Sequence, residues 1–218
     1  MANDGDLMKP YMVDQVRAPD LTVIDRTEPE VLSEAVSAVL RGGARLVQYR
    51  DKSDDADRRR EEARALKALC EQHGALFIIN DDVALAASAG AHGVHLGQGD
   101  MPLAQARARL GQAAIIGITC HDRLDLALAA QAEGADYVAF GAVHPSPTKP
   151  VAVRAPLMLF AQAREVLRIP VCAIGGLDAD NAAAVIEAGA DMVAVISGVF
   201  ARPDPEAEAR QLAAMFVV

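Results

Sequence analysis

The sequence predicts a single α/β domain, a (β/α)8 TIM barrel over residues 21–218 that follows a loose N-terminal leader at residues 1–20. Three observations predict this fold. The length of 218 residues suits one barrel, since such folds commonly hold about 200–250 residues in one domain. Short apolar runs, typical of strands buried on both faces, alternate along the chain with longer helix-forming stretches. A Gly-Ala pair also recurs at four predicted helix ends, each just before a strand.

The recurring Gly-Ala pair divides the chain into repeats of two strand–helix units. The pairs begin at Gly43, Gly90, Gly134 and Gly189, at spacings of 44 to 55 residues. Glycine supplies the left-handed backbone that ends a helix, and alanine permits a helix to approach a strand closely. Four such repeats predict eight units. A doubly wound open sheet is the alternative, but residues 24–27 are not the glycine-rich dinucleotide loop expected after its first strand.

The predicted strands are short apolar runs that end in polar residues. The clearest is 76–79, four apolar residues followed directly by Asn80 and two aspartates. In chain order the predicted strands are 21–25, 46–50, 76–79, 93–96, 115–119, 137–140, 171–174 and 192–196.

The predicted helices fill the intervals between these strands. Pro29 begins the first, because its fixed φ and missing N–H suit the first helical position, and Gly42 and Gly43 end it. The second carries the charged run 58–62, which we interpret as a solvated face with i,i+4 pairing. The later helices are predicted at 84–88, 103–110, 125–133, 156–167, 180–188 and 205–215.

Composition excludes several classes of protein. A net charge of −9 disfavours nucleic acid or an anionic membrane as a partner. No stretch approaches the roughly 18–20 apolar residues of a membrane span, and residues 1–20 lack the apolar segment of a secretory signal. The three cysteines, Cys70, Cys120 and Cys172, form no C-x-x-C pair, which favours reduced thiols in a cytoplasmic protein over disulfides or zinc.

Acidic residues follow two neighbouring predicted strands. Asp81 and Asp82 come directly after 76–79, and Asp100 follows 93–96. Successive parallel strands end on one side of a sheet, so Asp81 and Asp100 are expected to face each other there. Two carboxylates suit Mg²⁺, which usually takes one or two of them together with water and substrate phosphate. The alternative is that Asp81 and Asp82 only cap the following helix.

Phosphate-binding features lie at the same predicted edge. Gly175-Gly176 and Ser197-Gly198 follow the last two predicted strands and resemble the recurring barrel phosphate site, although such glycines also serve simple turns. Arg50, Lys52 and Lys149 are cations at the same rim. Each alone would be a surface charge, but together with the carboxylates they indicate a phosphorylated ligand and a diphosphate held by Mg²⁺.

The predicted site is poor in general bases. Cys120 beside His121 is the one pair that a covalent mechanism could use. A site of cations, metal ligands and hydroxyls instead suits departure of diphosphate, in which the enzyme stabilises growing negative charge.

The motifs, taken jointly and in order from Leu21 to about Pro205, resemble those of the thiamine-phosphate synthase family. They are Gln48-Tyr49-Arg50-Asp51-Lys52, Ile79-Asn80-Asp81, Gly93-Val94-His95-Leu96-Gly97-Gln98-Gly99-Asp100, Gly117-Ile118-Thr119-Cys120-His121, Pro147-Thr148-Lys149, Ala173-Ile174-Gly175-Gly176 and Val195-Ile196-Ser197.

The resemblance implies a transferase of thiamine biosynthesis that joins a hydroxymethylpyrimidine diphosphate to a thiazole phosphate and releases diphosphate by a dissociative route. Asp81 and Asp100 would hold Mg²⁺. The residues implied to bind the pyrimidine diphosphate are Gln48, Arg50, Lys52, Asn80, Thr119 and Lys149, with Arg50, Lys52, Thr119 and Lys149 acting in catalysis. The residues implied to bind the thiazole phosphate are Ser146, Thr148, Gly176, Ile196 and Ser197.

The chain departs from the common family pattern at a few positions. Tyr49 and Asp51 stand where an aliphatic residue and Glu are usual, and these changes are mild. Ala142, His144 and Ser146 replace Pro, Phe and Thr on the thiazole side, where they bear on thiazole affinity and not on the reaction class.

Three other functions remain open at this point. A thiazole tautomerase shares the barrel but would not need the full set of diphosphate ligands. A phosphosugar isomerase or aldolase could use Lys149 as a Schiff-base amine, but lacks an obvious partner base. A non-enzymatic sensor of phosphorylated ligands would bind without turnover.

Overall fold

The computed structural model describes residues 12–16, 29–145 and 154–216. The strands are β1 (Met12–Val16), β2 (Leu46–Tyr49), β3 (Leu76–Asn80), β4 (Gly93–Leu96), β5 (Ile115–His121), β6 (Tyr137–Phe140), β7 (Val171–Ile174) and β8 (Met192–Ala194). The helices are α1 (Pro29–Arg41), α2 (Ala56–Gln72), α3 (Val83–Ala89), α4 (Leu103–Leu110), α5 (Leu124–Ala132), α6 (Leu157–Val166), α7 (Ala182–Glu187), α8 (Ser197–Phe200) and α9 (Pro205–Ala214).

The chain has an α/β fold in which seven strands, β2 to β8, pair in parallel and in chain order. β1 also pairs in parallel, with β2 on one side and with β8 on the other, where Met12 lies opposite Ala194. Each strand neighbours the next, without the reversal of strand order that defines a doubly wound sheet. The carboxyl ends of these strands therefore all lie at one edge of the sheet.

Two hydrophobic clusters occupy the two faces of the sheet. The larger contains strand residues such as Val47 and Phe77 together with helix residues such as Leu66, so it is the layer between strands and helices. The smaller contains Leu46 and Ile78 and also Tyr137. Because neighbouring strand residues point to opposite faces, the smaller cluster lies on the inner face of the sheet.

The recurring Gly-Ala pair has the predicted role. Gly90 follows α3 in the left-handed conformation, with φ 64°, and Gly43, Gly134 and Gly189 also have positive φ. The seven predicted strands from 46–50 onward are confirmed to within two residues at each end. Among the described helices, none is both long and apolar enough to cross a membrane.

The first strand differs from its prediction. The structure has β1 at Met12–Val16, inside the stretch predicted as a loose leader, whereas 21–25 lies outside the described residues. β1 holds Asp14 and Gln15 between its apolar ends, so it lacks the continuous apolar run by which a buried strand is recognised. The short helix α8 was also not predicted.

Gly117 of β5 is required by the ring of Tyr137 in β6. A Cβ at this glycine would lie 2.0 Å from the Tyr137 Cζ, and Tyr137 is fully buried. We expect Gly117→Ala to lower the free energy of unfolding by about 1–3 kcal/mol, as for other overpacked cores, in a denaturant titration. Gly99→Ala is the matched control, because nothing lies within 4 Å of a Cβ there, and should change stability by less than about 0.5 kcal/mol. Equal effects of the two substitutions would contradict the packing argument.

Candidate active site

Two carboxylates meet at the edge of the sheet where β3 and β4 end. Asp81 follows β3 with a positive φ of 63°, and its N–H donates to the carbonyl of His95 at 2.9 Å. Asp100 lies in the loop after β4, where its Oδ2 accepts from the Gly97 N–H at 2.7 Å. The two carboxyl groups interact directly with each other. The predicted juxtaposition of these aspartates is therefore present.

The two carboxyl groups have pKa values shifted in opposite directions. Burial raises the pKa of Asp81, but hydrogen bonds with Lys52 and Asp100 and the nearby positive charges outweigh it, so this pKa is below its ordinary value. Burial raises the pKa of Asp100, and the hydrogen bond and negative charge of Asp81 raise it further. As the pH falls, Asp100 takes up a proton before Asp81. The pair thus has a negative charge that a proton or a metal cation would balance.

Asp81 and Asp82 have separate roles. Asp82 caps α3, since its Oδ1 accepts from the Leu85 N–H at 2.9 Å. Its other carboxylate oxygen, Oδ2, accepts from Arg59 at 2.8 Å. The capping interpretation therefore holds for Asp82, whereas the Asp81 side chain faces Lys52 and Asp100.

Two cations of the loop after β2 act on this acidic pair. Lys52 Nζ forms an ion pair and hydrogen bond with Asp81 Oδ2. Arg50 lies near enough for its charge to lower the pKa of Asp81. The Lys52 side chain is 56% exposed and that of Asp81 24% exposed, so the mouth is open to solvent at its rim. Lys149, the third predicted cation, lies outside the described residues.

Gln48 of β2 places an amide on the inner face of the sheet. It lies opposite Ile78 of the inner cluster, between Val47 and Tyr49 of the outer one. The residue is fully buried, and neither its Oε1 nor its Nε2 has a hydrogen-bond partner among the described residues. Because a buried amide without a partner costs about 1–3 kcal/mol, its retention points to a ligand. Asn80, two residues beyond Ile78, lies on the same face nearer the edge.

Thr119 of β5 is held by a buried histidine. His95 Nε2 hydrogen-bonds to Thr119 Oγ1 at 2.7 Å, and His95 Nδ1 to the Tyr137 hydroxyl at 2.8 Å. Gln98 Nε2 donates to the Thr119 carbonyl at 2.7 Å. Sequence reasoning missed the contribution of His95 and Tyr137. The alternation along 93–96, which puts His95 on the inner face, could have indicated it.

Cys120 and His121 do not form a nucleophile–base pair. The Cys120 side chain is fully buried, and burial raises its pKa to about 12. His121 is exposed at the end of β5, with a positive φ of 53°. A thiol that stays protonated is a poor nucleophile, so the site remains poor in covalent and basic groups.

The loop after β6 packs against the glycine pair after β7. A Cβ at Gly176 would lie 2.7 Å from the Pro145 carbonyl oxygen, and one at Gly175 would lie 2.6 Å from Ala142 Cβ. The His144 N–H donates to the Gly175 carbonyl at 3.0 Å. The glycines are thus required by their close packing against this loop. Two of the positions that depart from the family pattern, Ala142 and His144, lie in this contact.

The remaining predicted residues are only partly described. Ile196 and Ser197 stand at the start of α8, after β8. Ser146 and Thr148 lie outside the described residues. Within the described ranges, no three His, Cys, Asp or Glu side chains converge as metal ligands. A metal at this mouth would therefore have the aspartate pair as its protein ligands there.

The charged run 58–62 has the predicted i,i+4 pairing, with Arg58 Nη1 3.5 Å from Glu62, but it is not a wholly solvated face. Glu62 is buried, at 5% exposure, and accepts from the Tyr49 hydroxyl at 2.6 Å. Arg58 Nη2 donates to the buried Asp51 carboxylate at 2.7 Å. Arg58 and Glu62 are one helical turn apart on the face of α2 that meets β2, a signal that the unbroken run of charged residues conceals.

Comparison with known proteins gives one consistent result. Residues 21–199 match the family model described as thiamine monophosphate synthase. The thiamine-phosphate synthase of Thioalkalivibrio sulfidiphilus (strain HL-EbGR7) is 78% identical over 192 residues, covering 88% of this chain and 91% of that protein. The thiamine-phosphate synthase of Halorhodospira halophila (strain DSM 244 / SL1) is 60% identical, covering 85% and 88%.

A solved structure agrees with these relatives. The thiamine phosphate pyrophosphorylase from Pyrococcus furiosus superposes with a TM-score of 0.81 at 32% identity, covering 96% of each chain. The match therefore extends from sequence motifs to the arrangement of the strands and helices that carry them. The family model spans well over half of the chain, and the relatives cover most of it. This chain belongs to the thiamine monophosphate synthase family.

Proposed function

We propose that this protein is a transferase that couples 4-amino-5-hydroxymethyl-2-methylpyrimidine diphosphate with hydroxyethylthiazole phosphate, giving thiamine phosphate and diphosphate. The observation that carries the proposal is the meeting of Lys52, Asp81 and Asp100 at one mouth, together with the buried amide of Gln48, which has no hydrogen-bond partner within the described ranges. The chain's family membership supports the same activity.

The direct test is an assay of the purified protein with both substrates and Mg²⁺, followed by detection of thiamine phosphate. Thiamine phosphate formed in proportion to diphosphate is the expected result. Conversion of the thiazole alone would indicate a tautomerase, and binding of both ligands without turnover would indicate a sensor. Either of these two results would overturn the proposal.

The two substrates are assigned to two parts of the rim. The pyrimidine diphosphate would contact Gln48, Arg50, Lys52, Asn80, Thr119 and Lys149. The thiazole phosphate would contact Ser146, Thr148, Gly176, Ile196 and Ser197. This division is supported by the grouping of Gln48 and Asn80 on neighbouring strands, away from the loops after β7 and β8.

Asp81 and Asp100 are the residues that would hold Mg²⁺. The closeness of the two carboxyl groups supports this assignment, because a pair of carboxylates suits a divalent cation. The metal would supply charge neutralisation for a leaving diphosphate. Lys52, already paired with Asp81, can turn to a diphosphate oxygen as a mobile point charge.

The chain's own residues would act by orientation and electrostatics. Gln48 would bind the pyrimidine within the sheet, and Thr119, fixed by His95, would present a hydroxyl beside it. Arg50, Lys52 and Lys149 would stabilise the negative charge that grows as the carbon–oxygen bond to diphosphate breaks. The electron pair of that bond leaves with diphosphate, and the thiazole nitrogen then donates its lone pair to the pyrimidinylmethyl cation. Proton abstraction by a side chain is not needed in this sequence.

We also infer that the sheet closes as a complete (β/α)8 barrel forming one catalytic domain. The pairing of β1 with both β2 and β8 supports closure. Such a domain would begin at or before Met12, and not at residue 21. A cytoplasmic location is supported by the free cysteines Cys70, Cys120 and Cys172, since reduced thiols are usual there.

Removing one acidic ligand should impair catalysis strongly. We expect Asp81→Asn and Asp100→Asn each to lower kcat by about 100-fold or more, because the growing charge on diphosphate would lose several kcal/mol of stabilisation. The measurement is turnover across a Mg²⁺ titration. Asp122→Asn, which changes an exposed carboxylate beside the next strand end, is the control. Turnover within about twofold of the parent in either variant would contradict the metal assignment.

Replacing Gln48 should have opposite effects on stability and on substrate binding. Gln48→Leu removes a buried amide that has no partner in the described part of the chain and should raise the free energy of unfolding by about 1 kcal/mol. The same change should raise KM for the pyrimidine diphosphate about tenfold, which corresponds to the loss of about one hydrogen bond. Denaturant titration and steady-state kinetics measure the two effects. Gln105→Leu on the exposed side of α4 is the control, and a more stable variant with unchanged KM would rule out ligand binding by Gln48.

The histidine at the rim should not act as a base. His121→Ala should keep kcat within about twofold of the parent, whereas loss of a general base typically costs about 10²–10⁴-fold. A fluorinated pyrimidine diphosphate should react much more slowly, because fluorine destabilises a cationic intermediate. Single-turnover rates with both pyrimidines measure these effects. A hundredfold loss in the variant, with indifference to fluorination, would indicate base-assisted displacement.

A further inference from the structure

The first turns of α2 hold the loop that carries Arg50 and Lys52. Arg58 Nη2 donates to Asp51 Oδ2 at 2.7 Å and to Ser53 Oγ at 2.8 Å. The Ser53 N–H donates to the other carboxylate oxygen of Asp51 at 2.7 Å. The Asp51 side chain is fully buried and stands between the two predicted diphosphate ligands in sequence. Arg50 and Lys52 are therefore attached to a residue that is fixed at both oxygens.

A second carboxylate, that of Glu62, also holds Arg58. Glu62 is one turn later on α2, lies 3.5 Å from Arg58 Nη1 and accepts from the Tyr49 hydroxyl at 2.6 Å. Burial, and then the hydrogen bond and charge of Glu62, raise the pKa of Tyr49 well above its ordinary value, so Tyr49 remains a neutral donor. Buried ion pairs of this kind add little net stability, and their best-attested use is to fix one geometry.

The next arginine of α2 holds the neighbouring loop. Arg59 Nη2 donates to Asp82 Oδ2 at 2.8 Å, and the Arg59 side chain is 20% exposed. Asp82 directly follows Asp81 and caps α3 through its other oxygen. Consecutive arginines of one helix thus reach the loops after β2 and β3. Lys52 of the first loop and Asp81 of the second then pair with each other across the mouth.

We propose that Arg58 and Arg59, here called the arginine clamp, are positioning residues that hold these two loops at the separation at which Arg50, Lys52 and Asp81 bind a magnesium diphosphate group. The inference rests on the proposed function, which it deepens by adding residues that touch no substrate. Groups that orient metal and phosphate ligands in this way typically contribute about 10- to 100-fold to affinity or activity. Neither arginine needs to leave its partner for the site to work.

The test uses four variants of the full chain. Arg58→Gln and Arg59→Gln each remove one half of the clamp. Asp82→Asn removes the charge that Arg59 meets but keeps a side chain that caps helices well. Arg60→Gln is the matched control, because Arg60 is the next residue of α2 and pairs with exposed Asp57.

Two binding properties and one folding property are measured. Titration calorimetry gives the dissociation constant of inorganic diphosphate with Mg²⁺, steady-state kinetics gives KM for the thiazole phosphate, and thermal unfolding gives Tm. We expect Arg58→Gln, Arg59→Gln and Asp82→Asn to weaken diphosphate binding by about 10- to 100-fold and to leave KM for the thiazole phosphate unchanged. Arg60→Gln should stay within about twofold, because exposed ion pairs contribute little.

The outcomes separate positioning from folding and from the proposed function. If Arg58→Gln does not fold, Arg59→Gln and Asp82→Asn decide the question alone. Lower Tm with unchanged diphosphate binding in the folded variants would overturn the inference, since the arginines would then be structural only. A parent that makes no thiamine phosphate would overturn the proposed function and this inference with it, whereas an active parent with unaltered variants would overturn the inference alone.

Discussion

Parallel pairing of successive strands is the constraint on which the site depends. Because β2 to β8 all run in one direction and each pairs with the next, their carboxyl ends share one edge. Asp81 and Asp100, which are nineteen residues apart in sequence, come close enough there for each to shift the pKa of the other, since β3 and β4 are neighbours. A slip of one residue in β2 would turn Gln48 to the helix layer, and a slip in β3 would do the same to Asn80. The register of the strands therefore determines where the site residues lie as well as where the core residues lie.

The charge at this edge of the sheet differs from that of the whole chain. The net charge is −9, yet the mouth brings Arg50 and Lys52 beside the acidic pair. Lys52 lowers the pKa of Asp81 while Asp81 raises that of Asp100, so the groups are electrostatically linked before any ligand enters. Such an arrangement has both signs of charge that a magnesium diphosphate requires, namely carboxylates for the cation and cations for the phosphate oxygens.

The polar groups behind the edge fall into two kinds. Asp51, Glu62 and His95 are buried with hydrogen-bond partners. His95 orients Thr119, which is proposed to bind substrate, whereas Asp51 and Glu62 hold Arg58 beside the loop that carries Arg50 and Lys52. Gln48 is buried with no partner among the described residues, so its amide is free for a ligand. The hydrogen-bonded groups fix the positions of their partners, whereas the Gln48 amide can bind a ligand. Burying both kinds of polar group costs stability, which the two hydrophobic clusters offset.

The sequence by itself determined the α/β class, seven of the strands, the glycine-ended helices and the meeting of Asp81 with Asp100. These follow from local periodicity and from the rule that parallel strands end together, and neither needs long-range detail. Only the tertiary structure decided that β1 lies at Met12–Val16, that Asp82 alone caps α3, and that Glu62 is buried with Arg58 paired to it. Each of those depends on which element packs against which, because a charged residue is buried only where another element supplies its partner.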